Sequence, residues 1–175
     1  MSNFDPESYG PAIAPLLSES RLPTLGPGTP NAPVQKALAA ITPEIAFPSF
    51  RDRSMAMACI SALWLLHDFL HESHEISQDI DTPTGSYWHG IMHRREPDPD
   101  NAKYWFRRIG AHPVVEMLGS EAPQLGYPYQ NPLVFVDFCE RVRGSASDDE
   151  MLARRVQLLE WQLLFDWCYR KAISG

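Results

Sequence analysis

Nine of the sixteen prolines fall within the first fifty residues. Proline lacks the backbone donor that helix interiors and sheet ladders use, so this stretch can form only short helices between irregular turns. Asp5-Pro6-Glu7 has the look of a short helix start, with Asp as cap and Pro at the first helical position. Pro33–Ile41 and Thr42-Pro43-Glu44 offer two more brief helices. Yet Leu16, Leu17, Leu25, Phe47 and Phe50 need burial. Residues 1–48 are therefore expected to form a proline-rich arm that wraps a folded body made by residues 49–175.

The body reads as helical throughout. After Asp52, Ile60, Leu63, Trp64, Leu66, Leu70 and Ile76 recur at spacings of three and four, which predicts one long central helix to about Asp79. Beyond His67 that segment turns acidic, with Asp68, Glu72, Glu75, Asp79 and Asp81 and no Lys or Arg. Thr82-Pro83-Thr84-Gly85 reads as a break. Helices follow over Tyr87–Glu96 and Pro99–Ile109, and a shorter one from His112-Pro113 to Gly119. Asn131-Pro132 is placed to cap a helix to Arg143, with Leu133–Val136 open to a local strand. Ser147-Asp148-Asp149-Glu150 has capping-box spacing before a last helix to about Ala172. No alternating multistrand pattern or internal repeat is present. The expected fold is an irregular all-α, single-domain helical bundle.

Bulk charge narrows the partners. A net charge of -7 and a pI near 5.3 argue against nucleic acid, though not against a local pocket for a small anion. The densest apolar run, Met55–Leu66, is too short to span a membrane. The start of the chain shows no basic stretch followed by an apolar one, the pattern of a secretory signal. Three isolated cysteines with no CxxC fit a reducing, cytoplasmic setting.

The chemistry concentrates in Ser86–Pro113, which holds three of the six histidines, two of the five tryptophans and five of the fifteen Lys and Arg residues. His89 and His93 lie one helical turn apart, and Glu96 continues their face. Gly90 stands where HExxH carries its general-base Glu, which excludes a standard zincin. On a continuous central helix, His67, His71 and His74 would share a face. Converging His71, His89 and His93 would make ligands for a divalent metal such as zinc, with Glu72 or Glu96 as the base for hydrolysis. Arg94-Arg95 and Arg107-Arg108 are consecutive pairs whose members point about 100° apart on a helix, so one of each pair is expected to turn inward. Arg95, Lys103, Tyr104 and Arg108 are the candidate substrate contacts. No dinucleotide fingerprint, Walker sequence or nucleophile elbow appears.

The run Tyr87-Trp-His-Gly-Ile-Met-His-Arg-Arg-Glu-Pro-Asp, with Asn101-Ala-Lys-Tyr-Trp-Phe-Arg-Arg-Ile-Gly and His112-Pro, resembles the signature of an uncharacterised bacterial and fungal family. The resemblance is concentrated in residues 60–115 and implies no activity or residue role. Three functional readings stand side by side: a divalent-metal hydrolase of a small polar or anionic substrate, a metal-free module binding a carboxylate or phosphate, and a structural or interaction protein with a buried His/Arg/Glu network.

Overall fold

Outside the arm, prolines mark where helices begin. The computed structural model describes residues 4–174 and is all-helical, with no strand among them. The helices are α1 (Ala14–Leu17), α2 (Ala32–Ala40), α3 (Pro43–Ala46), α4 (Arg53–Leu66), α5 (Leu70–Ser77), α6 (Pro83–Arg95), α7 (Pro99–Phe106), α8 (Pro113–Glu121), α9 (Pro132–Val142) and α10 (Asp148–Ser174). Pro83, Pro99, Pro113 and Pro132 each open a helix, where the missing donor costs nothing. The residue before each is its cap. Thr82 accepts from Gly85 N at 3.1 Å, Asp98 from Asn101 N at 3.2 Å, and Asn131 from Val134 N at 3.0 Å. Leu133–Val136 is therefore helical, inside α9.

α4 and α6 form the interior. α4 packs against α5, α6 and α10, and α6 packs against α4, α5 and α7. Every residue of α6 from Thr84 to Arg95 is buried. That overturns the expectation that one arginine of the Arg94-Arg95 pair stays wet: a helix enclosed all round buries both, each toward a different carboxylate. Arg94 pairs with Glu160 of α10, and Arg95 with Asp68. Gly85 opens no break. It lies inside α6, where a Cβ would come 2.1 Å from Ile80 O, so close packing requires glycine there.

The predicted helix from Asp52 to Asp79 is two helices. α4 ends at Leu66, Asp68 takes a left-handed conformation (φ 66°), and α5 starts at Leu70. Asp tolerates this conformation better than most residues. Its carboxylate is held between Arg95 and Arg21, the latter at 3.0 Å. Two cations thus stabilise the one residue that breaks the apolar period. The break removes His67 from the face of His71 and His74. His67 instead binds the arm, with Nε2 on Leu16 O at 2.8 Å and Nδ1 beside Asn31 Nδ2 at 3.1 Å.

The arm lies against helices of its own chain, with Ile13, Leu16, Leu25 and Phe47 buried. Its extended part, Leu22 to Pro27, has its carbonyls bound by side chains. Arg154 donates to Leu22 O and Pro23 O, Gln157 to Thr24 O, Arg143 to Leu25 O, and Arg95 to Gly26 O and Pro27 O. A segment that cannot build a ladder thereby has its acceptors satisfied from outside.

Candidate metal centre

The turn between α5 and α6 folds the two helices against each other and brings three imidazoles together. His74 comes from α5; His89 and His93, one turn apart, come from α6. Ring centroids are 4.6 Å apart for His74–His89, 4.8 Å for His89–His93 and 5.4 Å for His74–His93. One nitrogen from each ring lies within 4.8 Å of the others. His89 and His93 are buried, and the His74 side chain is 28% exposed.

Neighbours fix the two buried rings from behind. Ser77 Oγ sends its proton to His74 O at 3.2 Å, so it accepts from His89 Nδ1, also at 3.2 Å. Glu96, an acceptor, lies 3.2 Å from His93 Nδ1, with Asn101 Nδ2 at 3.5 Å from the same atom. His89 thus carries its hydrogen on Nδ1 and presents a lone pair at Nε2; at His93 the closer Glu96 carboxylate favours the same tautomer over the longer approach of the Asn101 amide, itself a donor. The Trp105 ring covers His89 at 4.1 Å between centroids. Burial, then the nearby His93 and His74, push the His89 pKa down to about 3. Burial also lowers that of His93 despite the opposing Glu96. Both rings are neutral at neutral pH, the form that coordinates a cation.

The donor set fits a divalent ion. Tetrahedral ligation by nitrogen at the usual zinc distance separates donors by about 3.4 Å, so closure from the present spacing requires a modest side-chain rotation. His74 is the ring with room to make it. Nδ1 donation to Ser77 and to a carboxylate is the outer arrangement that orients ligating histidines.

The sequence-based candidates divide. His71, proposed as a ligand, is exposed one turn before His74, and His74 takes its place beside His89 and His93. Glu72 sits two positions from His74, about 200° around α5, so it is turned away from the rings. Glu96 is at the centre, but on the Nδ1 edge of His93, which makes it an orienting group for that ring rather than a base at the reacting position. Arg95 is spent on Asp68, Leu65 O and the arm carbonyls. Lys103 pairs with Asp137. Tyr104 and Arg108 do approach the centre, through Trp105: the Arg108 guanidinium lies 5.7 Å from the Tyr104 ring and 5.4 Å from that of Trp105.

No family model, curated protein or solved structure matches the chain significantly.

The reading of the centre rests on its geometry. Ser77, Asn101 and Trp105 are members of it that sequence reasoning passed over. The spacing of His74 and Ser77, three apart on α5, was a signal once α5 is known to start at Leu70. Gly90 is explained as well: its Cβ would lie 3.1 Å from the Phe106 ring, so α7 packs where an HExxH glutamate would project.

Proposed function

We propose that the protein binds a divalent metal such as zinc at His74, His89 and His93 and uses it to hydrolyse a small anionic substrate. The observation that carries this reading is the convergence of three imidazoles, two of them buried and neutral, with His89 held at Nδ1 by Ser77 and His93 beside Glu96. Three neutral ligands leave the ion's charge intact and a coordination position for water. The ion would supply Lewis acidity there, lowering the pKa of a bound water toward neutrality so that no separate base would be needed.

Arg108 is the substrate contact. It is exposed, rests on two aromatic faces, and makes no ion pair among the described residues. A shallow cleft of about 310 Å³ lined by Asp81, Thr82, Pro83, Ser86 and Arg108 opens one helical turn from His89. The metal-free reading is weakened because Arg95 and Lys103 already have carboxylate partners.

Elemental analysis of protein purified without an affinity tag, followed by zinc and cobalt titration, tests the proposal. One ion per chain is expected, with affinity lost in His74→Ala, His89→Ala and His93→Ala and retained in His71→Ala. Absence of stoichiometric metal after reconstitution, or unchanged affinity in His89→Ala and His93→Ala, overturns it. Given metal, Arg108→Ala should raise KM for small carboxylate or phosphate esters more than it lowers kcat.

A further inference from the structure

Among the described residues, the buried side-chain polar atoms without a hydrogen-bond partner are the Tyr87 hydroxyl, Arg94 Nε and Nη1, the Tyr129 hydroxyl and Glu160 Oε1. All five belong to four residues that meet in one place, between α6, α10 and the loop before α9. Arg94 Nη2 reaches Glu160 Oε2 at 2.5 Å, with both side chains fully enclosed. The Phe135 and Phe106 rings flank the guanidinium at 4.7 and 5.8 Å. The Tyr87 hydroxyl comes within hydrogen-bonding reach of Glu160 and of Tyr129, yet neither approach has the angles of a formed bond. Buried polar groups in folded proteins are nearly always satisfied, so five orphans in one cluster point to a ligand there.

The chemistry of the four side chains selects the ligand. Arg94 and Glu160 cancel in charge, so an added ion would be left uncompensated. Burial and then the Glu160 carboxylate hold the proton on Tyr87, and the same two causes act on Tyr129. Both phenols therefore remain available as donors. Two phenols and the free Arg94 N–H groups need an acceptor, while Glu160 Oε1 needs a donor. A small neutral molecule that does both is water.

We infer that Tyr87, Arg94, Tyr129 and Glu160 form an internal hydration site, in which about one or two structural waters bridge α6 to α10 and to the loop before α9. Tyr87 and Arg94 are seven positions apart on α6 and share a face, so the waters brace the helix that also carries His89 and His93. The site is independent of metal binding.

Water-oxygen and deuteron relaxation dispersion on the metal-free protein tests this, together with a crystal structure that orders internal solvent. Wild type should show a long-lived water signal that falls in the Tyr87→Phe/Tyr129→Phe double variant. Tyr129→Phe alone should raise the unfolding equilibrium constant roughly tenfold, the effect of losing one buried hydrogen bond. Equal relaxation in wild type and double variant overturns the inference. So does a wild-type crystal structure in which the four side chains pair directly, or in which chloride fills the place. Should the double variant fail to fold, the wild-type crystal structure decides alone.

Discussion

The seam that holds the arm and the seam between α5 and α6 are both lined by buried polar side chains, and they are completed to different degrees. Along the arm, carbonyls from Leu22 to Pro27 meet arginine and glutamine donors, and His67 uses both ring nitrogens. Between α5 and α6, His89 and His93 meet their polar partners at Nδ1, and no partner is recorded for Nε2 of either ring among the described residues. His112 belongs with His67: Nδ1 accepts from Val114 N at 3.3 Å, and Nε2 bonds Thr84 Oγ1 at 3.1 Å. A histidine with both nitrogens engaged is structural material. One oriented by a single nitrogen in a buried cluster has bonding capacity left for something else.

The largest expected effect lies on the saturated side. Asp68→Asn keeps the side chain's shape and its tolerance of the left-handed conformation, but removes the charge facing Arg95 and Arg21. Leaving Arg95 buried without its carboxylate should cost about 3–5 kcal/mol in denaturant unfolding. A loss below about 1 kcal/mol would mean that the arm seam does not depend on that pair.

On the other side, adding a ligand should stabilise rather than removing one destabilise. Zinc at about a hundred times its dissociation constant should raise the unfolding free energy by about 2.7 kcal/mol, read as a shift in Tm. The shift should vanish in His89→Ala and persist in His71→Ala. An equal shift in both variants would place the metal elsewhere.

His112 supplies a pH test of the saturated class. Burial lowers its pKa from 6.5 to about 4, so folding favours the neutral ring. Above pH 6.5 both states are neutral and the stabilisation is complete. As pH falls from 6.5 toward 4 the unfolded chain takes up a proton that the folded chain refuses, and stability declines. The loss should be on the order of 2 kcal/mol, allowing for partial solvation. His112→Asn retains a helix cap and should make the decline shallower by that amount, against a wild-type curve measured without metal, the remainder of the slope coming from the depressed His67, His89 and His93.

Much of this contrast was visible in the residues, and its missing parts share one cause. Capping residues followed by proline marked α7, α8 and α9, and the i, i+4 spacing of His89 and His93 put both on one face of α6. The choice between His71 and His74 turned on Asp68. Its left-handed backbone sits within an otherwise regular apolar period, and the arginines that stabilise it lie 27 and 47 positions away. Local pattern carries no trace of such partners. The same holds for Arg94, whose carboxylate is 66 positions distant in α10. Helix starts are local chemistry and can be read; which buried charge meets which is tertiary.

Ser77→Ala probes the contrast with least disturbance to the fold. The serine is buried, and its hydroxyl joins His74 O to His89 Nδ1, so it fixes the tautomer of one proposed ligand and lies against the backbone of another. Alanine fills nearly the same volume, and α5 loses no backbone hydrogen bond. If Nε2 of His89 is a ligand, releasing Nδ1 should weaken metal binding about tenfold, at the low end for loss of an outer partner. Unfolding of the metal-free protein should become easier by about 1–3 kcal/mol, since His89 Nδ1 is left a buried donor without a partner. If the histidines form only a structural network, the loss of stability stands alone, because there is no metal affinity to lose. Measuring both quantities on the same variant separates an imidazole held in readiness for a cation from one that has finished bonding.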